Sequence, residues 1–234
     1  LDLDEPVTNY LNTWQPVSDE YDVSGVTTRR ILSHTAGLSI AGFEGIPLDD
    51  PLPDVELLLA GTHDGMEAIR IVSQPGSVWS YSAGGYAVLE LLVEELAGEP
   101  FSDYMSRQVL EPLGMHHSRF GWSPMLEDVA RGHNSAQLLV EPVHYPALAA
   151  AGLYSTAGDL AHLLSATMEG VQGRPAGADV ISEENLYEML KPAANTWSAF
   201  QFGENGNAGL GYVLFSSRRR HTRYIQFGGG QGYR

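Results

Sequence analysis

The residues best placed to do chemistry are Tyr81-Ser82-Ala83-Gly84-Gly85-Tyr86, which follow a Pro75-Gly76 turn and open a long run of periodic apolar residues. A tyrosine at the mouth of a helix meets the positive end of the macrodipole and free N–H groups, and both favour a phenolate. An unperturbed phenol titrates at about pH 10, so general-base work near neutrality needs that help and usually a nearby cation. The competing reading is a buried core tyrosine, which the local sequence alone favours because buried aromatics are common. His34 can also be drawn as a base, but core histidines are usually just hydrogen-bonded, and the structural reading is preferred. His116-His117 offers two imidazoles that point in different directions on a helix or strand, with no Asp or Glu spaced to join them. Gly228-Gly229-Gly230 lacks the Lys and Ser/Thr of a phosphate loop. Trp79, Trp122 and Trp197 could line a cleft, though core packing is the preferred reading of each.

These residues need elements to hold them. The strongest predicted helix runs over about residues 84–97, with Tyr86, Leu89, Leu92, Val93 and Leu96 at spacings of three and four and Gly98 just past the end. Thr27 or Thr28 caps a short helix that stops near Gly37, and Asp54 caps another through Leu59. Pro100 suits the first turn of a helix reaching Val109, before Pro112. Thr156-Ala157-Gly158-Asp159 resembles a capping box, and Ser182 caps a helix ending at Lys191-Pro192. Residues 78–81 and 209–214 read as extended chain. No internal repeat is present, and there is little strand with which to complete a sheet.

Composition closes several routes. The 234 residues carry a formal charge of −16 and no cysteine, which excludes thiol nucleophiles, disulfides and zinc–thiolate sites. That charge also argues against nucleic acid and anionic lipid as partners. Lys191 is the one lysine, so lysine catalysis has a single candidate. No apolar stretch approaches the roughly 18–20 residues of a membrane-spanning helix.

The motif order is more specific than any single motif. Residues 1–7 (LDLDEPV), 27–38 (TTRRILSHTAGL), 75–86 (PGSVWSYSAGGY) and 111–115 (EPLGM) are followed by Tyr145-Pro146, then 151–156 (AGLYST) with Asp159-Leu160. In that order they resemble the class C β-lactamase-related serine hydrolases, a group that includes penicillin-binding-protein-type DD-peptidases and esterases. The resemblance extends to about Leu214. It implies an α+β, β-lactamase/transpeptidase-like fold, mainly the helical domain with an incomplete antiparallel sheet.

The resemblance also implies acyl transfer by the serine of Ser-x-x-Lys, with the lysine and the tyrosine of Tyr-x-Asn relaying its proton. Tyr81 matches that tyrosine. Ala83 stands where β-lactamases carry asparagine, which favours an esterase- or DD-peptidase-like activity over β-lactam hydrolysis. No Ser-x-x-Lys occurs: Glu188 lies three residues before Lys191. In the family that motif lies shortly before the segment that residues 1–7 resemble, so the sequence is expected to start after it and to be inactive as it stands. The family's Lys-Thr-Gly-like strand is expected near residues 226–233, with Gln226 at the basic position, Gly229 as oxyanion donor and Gly228 beside them. Anchoring on the glycine run puts Phe227 at the basic position instead. The implied partner is a small-molecule or peptide acyl substrate, with no metal or organic cofactor; a non-catalytic module binding peptide or cell-wall fragments is the alternative.

One segment breaks the pattern. Residues 218–223 hold four of the thirteen basic residues, and without those arginines the formal charge becomes −20. A nucleic-acid patch, a solvated loop and translated sequencing-adapter sequence, as found in metagenomic assemblies, are the three readings; the last is favoured for residues 215–225. The expected division is therefore residues 1–214 as the β-lactamase-related domain, 215–225 as the anomalous segment and 226–234 as the start of the Lys-Thr-Gly-like strand.

Overall fold

The computed structural model describes residues 1–62, 65–126, 129–168, 175–195, 206–216 and 223–227. Seven α-helices are present among them: α1 Thr28–Leu32, α2 Val55–Ala60, α3 Ala83–Ala97, α4 Phe101–Met105, α5 Leu148–Ala151, α6 Ala157–Ala166 and α7 Glu183–Leu190. Most begin where short polar side chains can accept a free N–H. Thr27, Ser82, Thr156 and Ser182 accept from the backbone N–H of Arg30, Gly85, Asp159 and Asn185 respectively. Asp54 precedes α2 without making such a bond. Gly61 and Gly98 end α2 and α3 in the left-handed conformation.

Three helix ends differ from the sequence expectation. α1 stops at Leu32, well short of Gly37. The helix after Pro100 leaves α geometry at Ser106 and finishes as a π-helical turn over Ser106–Leu110. The supposed capping box at Thr156 is half made: Asp159 gives its N–H to Thr156, but its carboxylate turns to another loop, accepting from His117 N–H at 2.8 Å and Ser118 Oγ at 2.7 Å.

α3 is the axis of the molecule. The apolar spacing suggested one buried stripe, yet Ala87, Val88, Leu91 and Leu92 are all sealed, while Leu96, assigned to that stripe, is half exposed. The reason is tertiary: α1, α2, α4 and α5 all pack against α3, so nearly all of Ala83–Leu92 is interior. Ile31, Leu58, Leu59, Val7 and Val26 complete this core. Each fully buried branched side chain contributes about 1.5–3 kcal/mol. A second cluster of Leu110, Leu113 and Met115 packs against Leu163 and Val180.

The strands are few. β1 (Ile46–Pro47) pairs with β3 (Val143–His144), and β2 (Arg119–Phe120) pairs with β4 (Leu153–Tyr154). A four-stranded antiparallel sheet then runs in chain order: β5 (Ala194–Asn195), β6 (Gly206–Ala208), β7 (Tyr212–Ser216) and β8 (Arg223–Phe227). The extended run expected from Gly209 thus begins at Tyr212, because Gly211 adopts φ +78°. Among the described residues, backbone bonds from Leu210 N–H to Met189 O and from Gly211 N–H to Leu32 O tie this sheet to the helices.

Candidate active site

Tyr81 immediately precedes Ser82, the N-cap of α3, so its position is set by the start of the central helix. Ser82 Oγ accepts from Gly85 N–H at 2.9 Å and donates to Ser39 O at 2.8 Å. Gly84 N–H donates to Ile40 O at 3.0 Å. The absence of a side chain at Gly84 allows this approach, since a Cβ there would lie 2.5 Å from Ser39 O. The helix mouth is therefore closed: Ile40 O takes the Gly84 N–H and Ser82 Oγ takes the Gly85 N–H, so neither is left for the phenol.

The electrostatics of Tyr81 differ from that reading too. Partial burial raises its phenol above the ordinary tyrosine value. Among the described residues its hydroxyl has no hydrogen-bond partner, and no cation is paired with it. Ala83 is the first residue of α3 and is buried. Gln226 lies in β8, paired through the backbone with Val213. Gly228, Gly229 and Trp197 lie outside the described residues.

His34 comes to the same place. Its ring stands 4.5 Å from the Tyr81 ring and 5.2 Å from the Tyr86 ring, with Trp79 edge-on at 5.8 Å. Burial lowers its pKa to about 4, so the imidazole is neutral near pH 7. Its φ of 56° and the φ of 66° at Ile40 both fall in the left-handed region. For a β-branched residue such as Ile40 this is a strained conformation, costing roughly 1–3 kcal/mol. It is held by the bond from Gly84 and by Ser39 N–H donating to Arg70 O.

Some polar residues were missed in the sequence. Glu90 is 4% exposed on α3, where its Oε2 accepts from Ala149 N–H at 2.9 Å. No sequence signal marks it, because a Glu one turn from Glu94 reads as a solvated position. Asp159 is the carboxylate that spacing failed to bring to His117, with Oδ1 3.6 Å from His117 Nδ1. Among the described residues no group of three His, Cys, Asp or Glu side chains could hold a metal. Trp79 and Trp122 are partly exposed, and Trp122 packs edge-on to Tyr154 at 5.9 Å.

A central helix whose mouth carries Tyr81, with a small antiparallel sheet beside it, defines the β-lactamase/transpeptidase-like class of α+β proteins. The chain belongs to the Beta-lactamase family, which it matches over residues 1–234. It is 31% identical over 122 residues to the putative penicillin-binding protein PbpX of Bacillus subtilis, covering 51% of this chain and 27% of that protein. With the esterase EstB of Burkholderia gladioli it shares 25% identity over 275 residues, covering 100% of this chain and 67% of the esterase. Among solved structures, the octameric penicillin-binding protein homologue from Pyrococcus abyssi superposes with a TM-score of 0.68 at 25% identity, over 92% of this chain and 48% of that one. The D-amino acid amidase of Ochrobactrum anthropi has the same fold, with a TM-score of 0.70 at 22% identity over 96% and 61% of the two chains. The chain thus spans about half the length of several of its relatives.

Proposed function

We propose that the protein to which these residues belong is a serine hydrolase that cleaves an ester or amide through an acyl-serine intermediate, with Tyr81 as general base. The observation that carries this is the partly exposed Tyr81 phenol, unpartnered among the described residues, at the capped mouth of α3. The nucleophilic serine attacks the carbonyl carbon and its proton passes to the Tyr81 oxygen. Collapse of the tetrahedral intermediate then expels the leaving group, which takes that proton, and water repeats the cycle on the acyl-serine. Ala83 in place of an amide side chain favours an ester or D-peptide substrate over a β-lactam. Gln226, Gly228 and Gly229 are the proposed substrate-binding strand, with Gly229 as oxyanion donor.

The direction of the Tyr81 shift carries a consequence. A phenol raised by burial is protonated at neutral pH and accepts no proton until a cation lowers it. In this family reading the cation is the lysine of Ser-x-x-Lys, a motif absent from these 234 residues. The 234 residues alone are therefore expected to turn over no nitrophenyl ester, whereas a longer protein carrying Ser-x-x-Lys is expected to do so and to lose about 100-fold or more in kcat on Tyr81→Phe. Tyr81-dependent turnover by the 234 residues would overturn this account. A substituted Ser-x-x-Lys in the longer protein would point to the peptide-binding alternative.

A further inference from the structure

His34 is tied to both residues that flank Tyr81. Ser80 N–H donates to His34 O at 2.8 Å, and Ser82 N–H donates to His34 Nδ1 at 3.2 Å. A backbone N–H can only donate, so Nδ1 is the bare nitrogen and the neutral ring carries its proton on Nε2. The left-handed backbone at His34 accommodates this arrangement, in which main chain and side chain bond to the same segment. The ring then fills the space between Tyr81 and Tyr86, inclined 36° to the first and 28° to the second. The hydroxyl of Tyr86 donates to Leu32 O, near the end of α1.

We propose that His34 is the positioning residue for the Tyr81 phenol: a neutral Nε2–H imidazole that clamps the backbone on either side of Tyr81 and sets the orientation of its ring. The functional meaning of this role rests on Tyr81 being the general base; the clamp itself does not. His34 is not the cation that the phenol needs, because burial keeps it uncharged. It acts by stacking and by fixing the turn, and so limits the directions in which the phenol oxygen can point. No carboxylate or cation among the described residues is paired with its ring, so an electrostatic role through such a partner has no support.

NMR on the full 234-residue chain tests this, with Tyr81→Phe assigning the Tyr81 ring signals. His34 is expected to show a bare Nδ1 and a protonated Nε2 from about pH 5 to pH 8. His34→Asn suits a left-handed backbone but removes the ring. It is expected to move the Tyr81 ring signals and lower the phenol titration by about half a pH unit or more. His34→Phe keeps a ring without the acceptor, and is expected to shift the Ser82 amide signal while the Tyr81 titration stays raised. Protonation of His34 near neutrality, or a folded His34→Asn protein with an unchanged Tyr81 titration, would overturn the proposal. Should His34→Asn fail to fold, an unchanged Ser82 amide in His34→Phe would do so. Failure of the general-base reading would appear separately, as ester turnover by the longer protein that survives Tyr81→Phe, and would leave these signals in place.

Discussion

A carboxylic acid enclosed by helices is governed by its surroundings more than by its own chemistry. Burial pushes the Glu90 carboxyl up to about 8, and the Glu94 carboxylate on the same helix adds to the rise. The Ala149 and Leu148 N–H groups oppose it without cancelling it. The ordinary value is 4.5, so the folded state binds the proton more tightly than the unfolded chain does. The stability linked to Glu90 is therefore fully present below pH 4.5 and is lost as pH rises through about 8. Glu90→Gln keeps the size and an acceptor for Ala149 N–H but cannot ionise. It is expected to flatten this pH dependence and to raise stability at pH 8 by on the order of 1–3 kcal/mol, read from urea unfolding at pH 5 and pH 8. An equal pH slope in the variant and the parent would reject the assignment.

At the scale of elements, α3 depends on how it starts. Ser82 serves two bonds at once, as N-cap to Gly85 and as donor to Ser39 O. Ser82→Ala is expected to cost about 1–2 kcal/mol in denaturant unfolding, because a cap and a loop tie are lost together. A change within experimental error would mean that the loop at residues 39–40 holds the helix mouth unaided. The caps at Thr27, Thr156 and Ser182 were legible because capping is local chemistry between residues about three apart, whereas the Ser82 cap emerges only with the structure. The burial of nearly all of Ala83–Leu92 was not legible, since Glu90 looks like a solvated position until α5 is placed over it. Asp159 shows the same limit, because the loop at His117 outcompetes the reciprocal half of a capping box. At the candidate site, Tyr81 is singled out by its motif alone. Its raised phenol is not, since desolvation is set by His34 and the other rings that the fold gathers around it.

For the whole molecule, a formal charge of −16 spread over 234 residues implies self-repulsion that screening relieves. Raising ionic strength from about 0.01 M to about 0.15 M is expected to raise the unfolding temperature by a few degrees, with no specific cation required. A fall with salt would show that ion pairs such as Arg29–Asp4 outweigh the repulsion. The family was legible at this scale because its motifs keep their order along the chain, whereas the joining of sheet to helices depends on contacts far apart in sequence. That joint has a dynamic consequence. The Leu32 carbonyl accepts from both Gly211 N–H and the Tyr86 hydroxyl, so one peptide group near the end of α1 holds the strand entrance and the central helix together. In amide hydrogen exchange, Gly211 is then expected to exchange with the slow-opening unit formed by α1 and α3, because its acceptor belongs to that unit; exchange of Gly211 faster than that unit would show that the strand entrance opens by itself.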